Sequence, residues 1–186
     1  MASIKYLFLS LTILLIGTCS WQKSFAQQHT PADTDTTVLT QMRKIFYGLK
    51  FNDIKDDALV TIKDMPKDSP VLIIYFKTDC GHCRMDAERM PQIAAAYKIP
   101  IWMASYQSKT ELSAFATEFK LDKVPNLRIL NDFSKGMHNW FDFKYVPFIV
   151  LVDAKGNFIK EFDRLPKPEE LQEIIRTNDF LEMYQK

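Results

Sequence analysis

The chain has 186 residues, 47% of them hydrophobic and only five of them glycine, which suits one globular domain with a substantial core and excludes a disordered or repetitive chain. Its formal net charge of +1 provides no basic field for nucleic acid. Three cysteines are too few for a stapled framework, so each one has to be placed.

The N-terminus reads as a targeting segment. Lys5 precedes an apolar run over residues 7–17, and a polar stretch then ends in Ser24-Phe25-Ala26, with small residues where a signal peptidase reads. Residues 1–26 are therefore expected to be a signal peptide cut after Ala26, which implies export, with the periplasm the favoured destination. The apolar run is short for a membrane anchor. A second cut site, before Cys19 in Ile16-Gly17-Thr18-Cys19, resembles a lipobox but carries Thr18 where Gly, Ala or Ser is usual, so a lipid-tethered form is the less favoured alternative. Loss of residues 1–26 removes Lys5, Lys23 and Cys19; the mature chain keeps two cysteines and carries a net charge of −1.

Residues 27–37 are polar, contain Pro31 and read as a flexible leader. Val38, Leu39, Met42, Ile45, Phe46 and Leu49 recur at helical spacing behind a cap at Asp35 or Thr36, so the domain over residues 38–186 opens with an amphipathic helix. Residues 58–62 suggest an edge strand. Residues 71–76 are continuously apolar and rich in β-branched and aromatic side chains, the pattern of a strand buried on both faces of a parallel or mixed sheet.

A helix over residues 81–98 follows, with Met90, Ile93, Ala94 and Tyr97 on one face and Pro91 expected to kink it. The next strand is predicted over residues 99–104. Ser108 and Glu111 form a capping box for a helix bearing Leu112, Phe115, Ala116 and Phe119, and the alternation of strand and helix argues for a right-handed crossover. Residues 127–130 are a short apolar run, and 131–145 an aromatic-rich connection without periodicity. In that connection Trp140, Phe141, Phe143 and Tyr145 either border a binding groove or, as the favoured reading, pack beneath a loop. Residues 148–152 form a buried strand joined through a turn at 153–157 to a hairpin partner at 158–162. A last helix starts at Pro168 and buries Leu171, Ile174, Ile175 and Leu181.

Chemistry concentrates at Cys80-Gly81-His82-Cys83, where the strand of residues 71–76 gives way to a helix. A thiol reacts as its thiolate, and backbone N–H groups at a helix N-terminus favour that form, lowering such a pKa from ~8.5 toward roughly 3.5 to 7.5. A second thiol one turn on can resolve a mixed disulfide formed by the first. His82 between them adds partial positive charge beside the Cys80 thiolate; it could equally be an exposed residue that starts the helix. The two cysteines with His82 could also hold copper, although no second cluster completes a tetrahedral site. His29 and His138 read as surface residues.

This order of elements resembles the thioredoxin fold, and within it the exported TlpA/ResA-like thiol-disulfide oxidoreductases. The likeness rests on the CGHC motif, shared with protein disulfide isomerases, on residues 119–132, and on Tyr145-Val146-Pro147-Phe148-Ile149-Val150-Leu151-Val152-Asp153, which resembles the family's strand led by a cis-proline. It implies an α/β fold with a central mixed sheet flanked by helices, Cys80 and Cys83 as the catalytic pair supported by Gly81 and His82, and Val146 and Pro147 as substrate contacts. No dissociable cofactor is implied. The partners would be substrate protein thiols or disulfides and a redox-recycling protein, with no nucleic acid, and a membrane only through Cys19 or an uncleaved N-terminus. Three departures stand out. Asp79 replaces the usual Trp before the first cysteine, Ile74 stands where a buried acid is common, and Pro91 lies three residues later than usual. Asp86, six residues after Cys80, matches the position of a ResA-type carboxylate and is a candidate proton carrier. A copper-carrying metallochaperone using the same dithiol is the alternative.

Overall fold

The computed structural model describes residues 48–184. The signal peptide, the leader and nearly all of the helix expected over 38–49 lie outside the described residues. Seven strands form one sheet: β1 (Lys50–Asp53), β2 (Leu59–Thr61), β3 (Val71–Tyr75), β4 (Ile101–Ser105), β5 (Leu127–Asn131), β6 (Phe148–Val152) and β7 (Phe158–Phe162). Their spatial order is β2-β1-β5-β4-β3-β6-β7. The helices are α1 (Gly81–Tyr97), α2 (Lys109–Glu118), α3 (Gly136–Trp140) and α4 (Pro168–Tyr184). None of the described helices is long and apolar enough to cross a membrane.

β3, β4 and β5 run parallel, while β6 returns antiparallel beside β3 and β7 beside β6, so the sheet is mixed as expected. All five residues of β3, of β4 and of β6 are buried. Each strand feeds both faces because alternate side chains point to opposite sides. On one face Leu72, Ile74, Met103, Ile149 and Leu151 pack with Ala87, Met90 and Tyr97 of α1, Leu112 and Phe115 of α2, and Leu171 of α4. On the other, Val71, Ile73, Tyr75, Trp102 and Val150 pack with Phe51, Met137 and Phe141.

Cap chemistry sets where helices begin. Ser108 and Glu111 exchange the expected reciprocal bonds: the Glu111 N–H donates to Ser108 Oγ at 3.3 Å, and the Ser108 N–H to Glu111 Oε2 at 2.9 Å. The exposed Glu111 carboxyl is held below its ordinary range, chiefly by the Ser108 hydroxyl and backbone bonds. α1 continues past Pro91, which has no N–H for the Ala87 carbonyl. Tyr97, near its end, donates from its hydroxyl to the Pro166 carbonyl at 2.5 Å, and Gln172 of α4 donates to the Tyr97 carbonyl at 3.0 Å, tying α4 onto α1.

Three differences from the sequence reading have local causes. β4 starts at Ile101, because Pro100 precedes it and lacks a ladder donor. β1, with the polar sequence KFND, has one apolar side chain, Phe51, to mark it and is a strand through its antiparallel pairing with β2 and β5. α3 interrupts the aromatic connection for five residues, capped from outside its own span by Asp132.

The β6-β7 turn is closed by Asp153, whose Oδ1 accepts from the Lys155 N–H at 2.8 Å and the Asn157 N–H at 2.6 Å. Gly156 sits there at φ +82°, and a Cβ on it would come within 2.4 Å of Ile62 Cγ1. Gly156→Ala is therefore expected to lower stability by ~1–3 kcal/mol, combining left-handed strain with displacement of Ile62, read as a drop in the urea unfolding midpoint at unchanged slope.

Candidate active site

β3 ends at Tyr75, and five residues later Cys80 caps α1. Cys80 and Cys83 form a disulfide, with sulfurs 2.50 Å and Cα atoms 5.2 Å apart. The two sulfurs have unlike surroundings. Cys83 is 2% exposed and embedded among Ile74, Phe76 and Ala87, whereas Cys80 lies half-buried at the border of that cluster. Cys80 Sγ accepts the Cys83 N–H at 3.2 Å, one of the α1 N-terminal donors with no carbonyl partner inside the helix. That donor favours a thiolate at Cys80.

The opposite wall comes from the loop before β6. The Val146-Pro147 peptide bond is cis, as the resemblance implied, and among the described residues no other bond is, including Val124-Pro125. Antiparallel pairing of Tyr75 with Phe148 brings this loop beside the start of α1, placing the Val146 carbonyl oxygen 3.5 Å from Cys80 Sγ. Pro147 offers no N–H, so Val146 carries the backbone groups available at this wall.

The loop between β3 and Cys80 is held by groups that the motif does not contain. Gln107 grips Thr78 twice: its Oε1 accepts the Thr78 N–H at 2.6 Å, and its Nε2 donates to Thr78 Oγ1 at 2.8 Å. Gln107 is itself fixed by Asn131 Nδ2, which donates to its carbonyl at 2.7 Å. From α1, Arg84 Nη1 donates to the Thr78 carbonyl at 3.2 Å, while the same guanidinium pairs with Glu118 and lies over the Phe119 ring. A Gln two residues after a strand carries no motif, so sequence reading missed this clamp; the adjacent Ser108 cap is its one visible neighbour.

The residues suggested by sequence fall around this centre in different ways. Gly81 and His82 are exposed, and His82 makes no hydrogen bond or ion pair among the described residues. Asp79 points to solvent and is met by Lys77 at 3.6 Å, which offsets its charge beside Cys80. Asp86, one turn beyond Cys83, is largely covered and accepts from Arg89 Nη2 at 2.7 Å. Its charge reaches Tyr97, whose hydroxyl is pushed above its ordinary range first by burial and then by Asp86. Ile74 packs in the same cluster as Cys83, so the position of the usual buried acid is apolar.

Of the aromatic group, Phe143 stacks on Phe148 with centroids 4.6 Å apart and meets Tyr75 at 5.1 Å, and Phe141 meets Phe148 at 5.4 Å. These two pack under the loop as expected. Tyr145 is 84% exposed at its rim, and the Trp140 side chain lies outside the described residues. His138 is exposed, with its edge toward Phe143.

Sequence reading also missed Asp132. Fully buried, it accepts from the Gly136 N–H at 2.7 Å, the Met137 N–H at 2.9 Å and the Tyr75 hydroxyl at 3.3 Å. Burial pushes its pKa up, and the Gly136, Met137 and Tyr75 bonds pull the other way. The Tyr75 hydroxyl is raised in turn, by burial and then by the Asp132 charge. Among the described residues no group of three or more His, Cys, Asp or Glu is placed to hold a metal ion.

Comparison with known proteins agrees with this architecture. The family described as Thioredoxin matches residues 58–139. Among solved structures, a thioredoxin-like protein from Aeropyrum pernix is 13% identical with a TM-score of 0.57, covering 76% of this chain and 95% of its own. A secreted Mycobacterium tuberculosis disulfide oxidoreductase homologous to E. coli DsbE is 16% identical, with a TM-score of 0.54 over 72% of this chain and 98% of its own. ScoI from Bradyrhizobium japonicum with copper bound is 20% identical, with a TM-score of 0.51 over 69% and 96%. No curated protein matches the chain. The fold is thioredoxin-like.

Two outcomes follow from the polar supports. Gln107→Ala removes both bonds to Thr78 and should cost ~1–2 kcal/mol, with faster hydrogen exchange at the Thr78 amide while the β3 amides stay protected. Asp132 has a folded-state pKa above its unfolded one, so its contribution is complete below the ordinary aspartate range and lost as pH rises through the raised value. The stability advantage of the wild type over Asp132→Asn should therefore be largest in acid and shrink with increasing pH, measured by urea unfolding at a series of pH values.

Proposed function

We propose that this chain is an exported thiol-disulfide oxidoreductase of the TlpA/ResA type, working through Cys80 and Cys83. One observation carries the reading: Cys80 Sγ is positioned as the helix N-cap, accepting the Cys83 N–H at 3.2 Å, while its partner sulfur is withdrawn into the core. An accessible, N–H-stabilised sulfur is suited to attack, and a covered one to resolution.

In the reducing direction the Cys80 thiolate attacks one sulfur of a substrate disulfide. A Cys80-substrate disulfide forms as the substrate S–S bond breaks and the other substrate sulfur leaves as a thiolate, taking up a proton. Deprotonated Cys83 then attacks Cys80 Sγ; the mixed disulfide breaks, the second substrate sulfur leaves, and the Cys80-Cys83 disulfide forms. Two electrons have passed to the substrate, and a thiol-bearing partner returns the pair to the dithiol. The same steps run backward make an oxidase. During the covalent stage the Val146 backbone is placed to pair with an extended substrate segment, and Pro147 keeps a competing N–H away from the sulfur.

Asp86, largely covered and one turn from Cys83, is the group we assign to proton exchange with the resolving thiol. Its bond to Arg89 holds the carboxylate in place on α1.

Cys83→Ser should abolish turnover of a model disulfide and accumulate, with protein substrates, an adduct through Cys80 that dithiothreitol releases. Cys80→Ser should form no adduct. A wild-type protein that neither reduces nor forms a model disulfide, together with a Cys83→Ser variant that captures nothing, refutes the reading.

A further inference from the structure

Beside Val146 lies a groove of about 220 Å³ whose walls include Lys77, Tyr106, His138, Phe143, Lys144 and Tyr145. By volume this holds roughly seven waters, so it takes one side chain and not a domain. It is continuous with the site through Val146, whose carbonyl is 3.5 Å from Cys80 Sγ. A side chain a few residues from a substrate cysteine that is bonded to Cys80 falls within its reach, since extended chain spans ~3.3 Å per residue.

The lining has a consistent charge. Lys77 and Lys144 line it together with His138, and no carboxylate is among its residues. A further cation stands at the rim, with Lys135 Nζ 5.2 Å from the centre of the Tyr106 ring. Lys77 is shared with Asp79, but Lys144 is exposed and has no ion pair among the described residues. Of the acids nearby, Asp79 offsets Lys77 in part, Asp142 is exposed and outside the lining, and Asp132 is buried with its carboxylate satisfied by Gly136, Met137 and Tyr75, so the charge of Lys144 is left for a ligand. Tyr106 and Phe143 add aromatic walls to the groove.

We infer that this groove is a specificity subsite for an acidic side chain lying close in sequence to the substrate's disulfide. The inference rests on the thiol-disulfide reading of Cys80 and Cys83. Charge complementarity selects the occupant: a carboxylate there meets Lys144 and shares Lys77, whereas a lysine meets like charge. The partner is thus an extended protein segment carrying Asp or Glu near its reactive cysteine.

The test uses the mature protein and disulfide-bearing peptides of one sequence, with Glu or Lys placed in turn at each of the three positions on either side of the cysteine. A small neutral disulfide is assayed in parallel. At one or more positions the Glu peptide should react about fivefold faster than its Lys counterpart at low salt, the ratio falling toward one as ionic strength rises. Lys144→Glu should invert the ratio and Lys144→Ala should reduce it. Equal rates at every position, or a ratio unmoved by both Lys144 variants, overturn the subsite while reaction of the neutral disulfide leaves the redox reading standing. Failure of the neutral disulfide to react with the wild type overturns both.

Discussion

Two backbone groups fix the sulfur of Cys80: the Cys83 N–H at the start of α1 and the Val146 carbonyl before β6. They belong to segments more than sixty residues apart, and they meet because β3 lies between β4 and β6 in the sheet. Burial of β3 on both faces leaves its register little freedom: a one-residue slip would move Leu72 and Ile74 away from α1 and carry Cys80 away from Pro147. The two contacts also act on charge in opposite senses. The N–H stabilises a thiolate, while the carbonyl accepts from a thiol and repels its anion. The Asp79 charge beside Cys80 is itself offset by Lys77.

Polar supports stiffen this arrangement from both sides of the sheet. Gln107 and Arg84 grip Thr78 from the α2 side, while Asp132 gathers Gly136, Met137 and Tyr75 from the other. No buried side-chain nitrogen or oxygen among the described residues lacks a hydrogen-bond partner. That completeness has an energetic reason: a half-satisfied network beside the site would cost more than an apolar one.

The parts legible in the sequence were those with short-range signals. Six apolar residues marked β3, Ser108 and Glu111 marked the start of α2, and the turn at 153–157 marked the last hairpin. The Cys80-Cys83 pair and Pro147 were legible because their spacing and order form a recognisable pattern along the chain. β1 and α3 were not: β1 carries a single apolar residue and is completed by β5 far along the chain, while α3 is five residues long and its first N–H groups are met by Asp132 just ahead of it, a local bond that matches no motif. Gln107 escaped because 29 residues separate it from Thr78. Asp132 looked like one acid among many because its burial depends on the sheet behind it and not on neighbours along the chain. The aromatic connection was read correctly at Phe141 and Phe143, whose rings had to pack somewhere, but alternation alone did not separate them from exposed Tyr145.

The dipeptide between the cysteines stands apart from all of these constraints. A side chain added at Gly81 would meet nothing within 4 Å, and His82 is exposed. Two positions one and two residues from Cys80 are thus free of core packing. Substitutions there can shift the thiol-disulfide equilibrium, where ~1.4 kcal/mol corresponds to 30 mV, without a matching loss of folding stability. On the proposed thiol-disulfide reading, the potential of the pair can therefore vary independently of the stability of the fold.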